Sequence, residues 1–315
     1  MLLFQSRQSY GMPKRPVDTY SIVAIDKKSG EMGVAVQSHW FSVGSVVTWA
    51  EAGVGVVATQ ASVEVSYGPL GLALMKGGKT PQQALKSLLA TDPRPEVRQV
   101  AMLDVRGRVA AHTGKKCIAE AGYVTGRGFS CQANIMRSRR VWRAMANSFR
   151  RSKGSLAERL MLVLESAEQA GGDLRGRQSA AILVVKVNGS SMPWHDRVVD
   201  LRVEDHPQPL VEMRRLLRIH QAFVHANNGD LMTEKGDIKR ALEEYRRSAE
   251  LYPENAELKF WQAVTLIDHG ELGKGKAILK RVFKSNKDLR IMLKSLVPAG
   301  LLKVDRETLQ DLLNI

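Results

Sequence analysis

Thr19-Tyr-Ser-Ile-Val-Ala-Ile-Asp-Lys-Lys-Ser-Gly-Glu-Met-Gly-Val-Ala-Val-Gln-Ser38 reads as strand, tight turn, strand. Ser21 to Ile25 is rich in strand formers, Lys27 to Gly30 carries turn chemistry, and Met32 to Gln37 is a second apolar run. A third buried strand is predicted at Gly53-Val-Gly-Val-Val-Ala-Thr59. Hydroxyl residues stand at both open ends of the hairpin, Thr19 at its entry and Ser38 at its exit. A hydroxyl at the mouth of a layered sheet is placed to act as a nucleophile, provided a base stands beside it.

Outward from the hairpin, strands cluster apart from helices. Gly68 to Met75 opens a helix, and Thr80-Pro81 caps another that stops before Asp92-Pro93. Val97 to Val105 and Val109 to Thr113 flank Arg106-Gly107-Arg108 as a hairpin. One short strand is expected over Gly126 to Asn134, with helices near 135–150 and 155–170. Strands at Ser179 to Val187 and Val198 to Val203 close the region. This order predicts an antiparallel α+β layer fold rather than βαβ units. No Gly-x-Gly-x-x-Gly opens a helix, which excludes the dinucleotide fingerprint.

After Asp205-His-Pro-Gln-Pro209 the chain turns wholly helical. Gly236-Asp-Ile-x-x-Ala241-Leu-x-x-Tyr245 recurs loosely, 34 residues on, as Gly270-Glu-Leu-x-x-Gly275-x-x-x-Leu279. The first copy ends in Tyr252-Pro253-Glu-Asn255. The period and the small residues resemble tetratricopeptide repeats, whose paired helices cross at small side chains. About two repeats are visible, and either a helical cap or a partner-recruiting groove fits them. The expected division is an extension over 1–18, a layered domain over 19–210 and a helical region over 211–315.

The 315 residues carry a net charge of +15 and are 44% hydrophobic. Residues 211–315 hold 19 basic and 15 acidic side chains, so +11 lies in residues 1–210. Arg137, Arg139, Arg140, Arg143, Arg150, Arg151, Lys153 and Arg159 face only Glu158 in their stretch. Trp142, Met145, Ala146 and Phe149 recur there at helical spacing, so the expectation is an amphipathic helix with a solvated basic face. No helix-turn-helix or stacking signature accompanies it, which weighs against a nucleic-acid partner. No window reaches the length of a membrane span, and Met1 to Asp18 lacks the pattern of a secretory signal. The two cysteines, Cys117 and Cys131, form no Cys-x-x-Cys pair, and the seven histidines no His-Glu-x-x-His. A cytoplasmic protein without metal or cofactor is therefore expected.

Four polar clusters interrupt the apolar strands: Thr19 with Ser21; Gln37-Ser38-His39; Ser130 to Asn134; and Gly171-Gly172-Asp173-Leu174-Arg175-Gly176-Arg177-Gln178-Ser179. The last places three glycines, an acid and two arginines directly before a buried strand. Glycines permit positive φ there, and the charges need partners. Two readings stand side by side: a loop closed by an Asp173–Arg177 pair, and a loop that anchors substrate or supports a nucleophile.

Thr-Tyr-Ser-Ile-Val-Ala at 19–24, Gly-Val-Ala-Val-Gln-Ser at 33–38, Gly-Val-Gly-Val-Val-Ala-Thr-Gln at 53–60, Tyr-Gly-Pro-Leu-Gly-Leu at 67–72, His-Thr-Gly at 112–114 and Gly-Gly-Asp-Leu-Arg-Gly-Arg-Gln-Ser-Ala-Ala at 171–181 resemble the domain-of-unknown-function family numbered 1028. The resemblance covers roughly residues 18–220 in order. It implies a fold similar to the N-terminal-nucleophile hydrolases, a four-layer αββα sandwich of antiparallel sheets. In that class the first residue of the mature chain attacks an amide, and its own α-amine takes the proton. The resemblance places Thr19 as nucleophile, with Ser38, Asn134 and Asp173 as further catalytic candidates. Gln132 and Asn134 are the expected oxyanion donors. Gln37, His39, Gln132, Arg175, Arg177, Gln178 and Ser179 are the substrate-binding candidates.

This chemistry requires a cut after Asp18, because 18 residues precede Thr19. No lysine stands at the spacing proteasome-like members use, where the chain reads Thr48-Trp49-Ala50-Glu51. Cys131 lies deep in a strand and reads as a structural cysteine. The expectation is an amidohydrolase acting on a small C–N amide. Its partners would be a small-molecule amide, a second copy of the chain and a protein recruited by the tail, and no membrane. The alternative is a non-catalytic ligand-binding or scaffold protein on the same fold.

Overall fold

The computed structural model describes Val17 and residues 19–315. The chain divides into two compact units between Arg214 and Arg215.

In the first unit, β1 (Thr19–Asp26) and β2 (Glu31–Ser38) form the predicted hairpin. Gly30 turns the corner at φ +71°. A short helix, α1 (Gly44–Val47), leads into β3 (Thr48–Glu51) and β4 (Gly55–Ala61). Two helices follow, α2 (Tyr67–Lys76) and α3 (Pro81–Thr91). Thr80 caps α3 in a reciprocal pair with Gln83, and Pro81 opens it, as the sequence predicts. Next come β5 (Arg98–Asp104), β6 (Val109–Thr113), β7 (Gly122–Gly126) and β8 (Phe129–Ala133). The region ends with α4 (Arg140–Arg151), α5 (Leu156–Gln169), β9 (Ser179–Lys186) and β10 (Arg197–Val203).

Several elements differ from expectation. The strand expected over Gly126 to Asn134 is β8, but β3 and β7 were not expected; Gly128 adopts φ +75° and folds β7 back on β8. The first basic helix starts at Arg140 rather than near 135, because Ile135 has φ +54° and bonds into the neighbouring loop.

All pairings are antiparallel. One sheet has the order β10-β9-β2-β1-β8-β7 and the other β3-β4-β5-β6. The period of two decides which face each side chain takes. Met32, Val34 and Val36 of β2 enter a buried core with Val56, Ala58, Ala101 and Leu103 of the smaller sheet. The intervening Gly33 points the other way, where a Cβ would lie 3.0 Å from Leu160 of α5. α4 and α5 therefore cover the outside of the larger sheet, and α2 and α3 cover the smaller one through Leu72, Met75, Ala84 and Leu85. A buried ion pair, Arg98 Nε to Asp92 Oδ2 at 2.7 Å, ties the end of α3 to β5.

The second unit holds α6 (Pro209–Glu234), which begins in the first, and then α7 (Ile238–Leu251) and α8 (Ala256–Asp268). It continues with α9 (Leu272–Ser285), α10 (Asp288–Leu296) and α11 (Arg306–Leu313). The repeat positions have structural counterparts. Gly236 and Gly270 both take positive φ just past a helix end, at +74° and +85°. A Cβ on Gly275 would lie 2.3 Å from Ile267, so only glycine fits between α8 and α9. Tyr245 closes against Gly229 and donates to Asp230 Oδ1 at 2.7 Å. Among the described residues, no helix is long and apolar enough to cross a membrane.

Two glycine substitutions separate packing from propensity. A Cβ on Gly55 would lie 2.4 Å from the Leu103 carbonyl oxygen, whereas one on Gly273 in α9 meets nothing within 4 Å. Gly55→Ala should destabilise by about 1–3 kcal/mol. Gly273→Ala should stabilise by about 0.5–1 kcal/mol. Denaturant unfolding of the two variants checks both signs.

Candidate functional site

The site candidates gather at the end of the larger sheet where β1 begins. Register puts Thr19 of β1 opposite Ser38 of β2, and Ser38 opposite Ser179 of β9. All three are fully buried. Thr19 Oγ1 donates to the Val17 carbonyl at 2.8 Å. Val17 pairs with Ala61 through two backbone hydrogen bonds of 2.7 and 3.0 Å. The segment entering β1 is thus held by the smaller sheet, while Thr19 belongs to the larger one.

Beneath Thr19 lies a buried amide network between the sheets. Gln60 lies one residue before the end of β4 and Gln99 one residue after the start of β5, both on the register that elsewhere carries Ala58 and Ala101 into the shared core. Gln60 Nε2 donates to the Thr19 carbonyl at 3.2 Å and to Gln99 Oε1 at 2.6 Å, while its Oε1 accepts from Ser21 at 2.6 Å. Asn134 joins from the end of β8, its Nδ2 donating to Gln99 Oε1 at 2.8 Å and its backbone N–H to the Thr19 carbonyl at 3.1 Å. Gln99 Nε2 donates to the Ala133 carbonyl at 2.9 Å and to Thr113 at 2.8 Å. Gln132 Nε2 donates to Ser21 Oγ at 2.7 Å, and Ser130 donates to Gln132 Oε1 at 2.8 Å. Every group in this network is neutral.

Among the described residues, two buried polar side chains here lack hydrogen-bond partners for some atoms: Asn134 Oδ1, and both amide atoms of Gln37. Asn134 is bonded directly to Thr19 through the backbone. Gln37 is opposite Tyr20 and Ala180, so it lies on the sheet face towards α5 rather than in the network.

The glycine-rich loop forms a separate, charged group. Gly171, Gly172 and Gly176 all have positive φ, at +123°, +59° and +117°, which explains their number. Asp173 is buried and pairs with Arg175 at 2.8 Å, not with Arg177. It also accepts the His39 backbone N–H at 3.4 Å. Arg177 pairs instead with Glu168 of α5 at 2.7 Å. Glu168 in turn accepts from the buried Tyr20 hydroxyl at 2.9 Å. Burial first, and the Glu168 carboxylate second, hold the Tyr20 phenol well above its ordinary range. The loop also pairs with residues 135–137, with Leu174 N–H donating to the Ile135 carbonyl at 3.0 Å.

The other candidates are placed as follows. Ser179 Oγ donates to the Trp40 carbonyl and accepts from Val43 N–H at 3.0 Å. Gln178 bonds the Ser38 carbonyl through its N–H at 3.0 Å and Asp205 through its side chain at 3.1 Å. His39, Arg175 and Arg177 are exposed. Cys131 is fully buried, and burial pushes its thiol well up, out of the nucleophilic range. Gln60, Gln99, Tyr20 and Glu168 are the participants that residue types alone did not single out. The signal for the glutamines was available: a polar side chain on the inward register of an otherwise apolar strand. No group of three or more potential metal-ligating side chains occurs among the described residues.

Residues 19–213 match the model of a family of unknown function, DUF1028, and the chain belongs to that family. The crystal structure of protein SPO2555 from Silicibacter pomeroyi, also of that family, is similar to it. The two are 28% identical, with a TM-score of 0.58, over 64% of this chain and 88% of the other. No curated protein matches the chain.

Two substitutions probe the site's construction. Gln99→Leu strands the Gln60 and Asn134 donors and should cost on the order of 3 kcal/mol in thermal or denaturant unfolding. Tyr20→Phe reports through pH. A phenol with a raised value stabilises the fold fully below about pH 10, and that contribution fades as pH climbs through the raised range. The wild type should therefore lose stability above pH 10 that Tyr20→Phe, already weaker at neutral pH, does not lose.

Proposed function

We propose that the layered unit is an N-terminal-nucleophile-type amidohydrolase, activated when the residues before Thr19 are removed. The observation that carries this reading is the neutrality of the groups hydrogen-bonded to Thr19. Among the described residues, its hydroxyl and carbonyl bond a backbone carbonyl, a backbone N–H and the Gln60 amide. None of these accepts a proton near neutral pH. A base must come from the chain itself, and a cut after Asp18 supplies one as the Thr19 α-amine. The buried Asn134 Oδ1 is an acceptor held next to that residue and is suited to bond the new amine. Two sheets stacked between two helix layers agree with the αββα order of this class.

The reaction runs in two steps. The α-amine takes the hydroxyl proton as Thr19 Oγ1 adds to the substrate carbonyl. The tetrahedral intermediate expels the amine half, which leaves with that proton. Water then hydrolyses the Thr19 ester by the same base and releases the acid half. Gln132 Nε2 and Asn134 Nδ2 each spend one N–H on the network, which holds them in place with a second N–H to offer an oxyanion. Asp173 and Arg175 hold the loop that borders Ser38, and the exposed Arg177 and His39 are positioned to meet substrate. The tail, with small residues where helices meet, suits recruitment of a protein partner.

One observation favours a second reading, a non-catalytic binding module on the same fold. Val17 is held by two backbone hydrogen bonds and is buried, which fits an uncut chain. Intact-mass measurement and N-terminal sequencing of the purified protein distinguish the readings. Active protein should begin at Thr19, and Thr19→Ala should lower amide turnover by at least a thousandfold with folding unchanged. Full activity in protein that keeps residues before Thr19 overturns the hydrolase reading.

A further inference from the structure

Helix α4 carries an exposed cationic stripe that the Thr19 site does not use. Residues 137–157 contain six arginines and Lys153 and no acidic side chain. The helix buries Val141, Trp142, Met145, Ala146 and Phe149. Its helical period then puts Arg140, Arg143, Asn147 and Arg151 on the opposite, solvent-facing side, with Arg150 at the margin. Arg137 and Lys153 flank the stripe and are also exposed. Among the described residues, the side chains of Arg137, Arg143, Arg151 and Lys153 have no ionic partner. Arg139 pairs with Glu120, and Arg140 contacts only Ser138. The four arginines of α4, none in an ion pair among the described residues, together raise a local positive potential on the face of one helix that a compact fold does not need.

We propose that this stripe is a docking surface for the phosphodiester backbone of nucleic acid, bound without regard to base sequence. Three features choose this occupant. First, the cations on the helix are all arginines, whose forked guanidinium matches phosphate oxygens in pairs. Second, the apolar face of α4 is taken up by the fold's own core, so a membrane could be held by headgroup charge alone and not by insertion. Third, a protein partner needs an apolar anchor at its centre, and the stripe presents none. Trp142 is buried, so no ring on the helix stacks on a base. Arg140 to Arg151 span about 16 Å at 1.5 Å per residue, which matches four to five phosphates at ~3.4 Å axial spacing. The surface is independent of the proposed hydrolysis and survives its failure.

The test is fluorescence anisotropy of the full chain on short labelled DNA duplexes of two unrelated sequences, from about 50 to 200 mM salt. Binding should be equal on the two sequences and fall about a hundredfold over that range, the slope expected for about four phosphate contacts. Arg140→Glu/Arg143→Glu/Arg151→Glu should weaken binding at least tenfold and flatten the salt slope by about 2–3. Lys280→Glu/Arg281→Glu/Lys284→Glu on α9 removes the same net charge elsewhere and should change affinity less than threefold. Circular dichroism confirms that both variants fold. Equal loss in both variants overturns the proposal, because net charge alone then accounts for retention. So does an unchanged slope in the α4 variant, or binding to phosphatidylserine vesicles without binding to the duplexes.

Discussion

Burying an amide between two sheets is tolerable only if its hydrogen bonds are made, and the first unit is organised around that requirement. Gln99 is the hub. Its oxygen accepts from both Gln60 and Asn134, and its nitrogen donates to Thr113 and the Ala133 carbonyl. One side chain thus links β4, β5, β6 and the end of β8. An apolar core such as Val34 against Leu103 resists separation of the sheets but has no direction. The amides add direction, because each bond holds only at one stagger of the sheets.

That stagger decides where Thr19 lies. The chain crosses from the smaller sheet to the larger within two residues, since Val17 pairs with Ala61 and Thr19 with Ser38. Gln60 spans the same step from below by holding the Thr19 carbonyl. Thr19 is therefore fixed from three directions by neutral groups, the preorganisation that the proposed reaction asks of its nucleophile.

The hairpin at 19–38 was legible because strand propensity, turn chemistry and alternation all agree there. The capped α3 and the glycine positions at 171–176 were legible for the same reason: Thr-Pro and clustered glycines each have one dominant backbone use. Strand β7 was not, because its turn into β8 depends on a single positive φ at Gly128. Nor was the partner of Asp173. Sequence distance made Arg177 as good a candidate as Arg175, and the choice depends on Glu168, which α5 delivers from outside the loop. Gln60 and Gln99 escaped notice because neutral amides carry no motif. Only their inward register marks them, and that register is known once the strands are paired.

The division between neutral and charged groups separates two tasks at this end of the sheet. Asp173 is buried, but Arg175 balances its charge and His39 and Arg175 N–H groups saturate it. Glu168 is shared between Arg177 and Tyr20. These ions therefore set the loop against Ser38 and α5, and the loop clasps residues 135–137 beside Asn134. Asn134 reaches Thr19 from that clasp. The charged loop thus bears on Thr19 through backbone geometry, and the proposed reaction takes its base from the Thr19 amine.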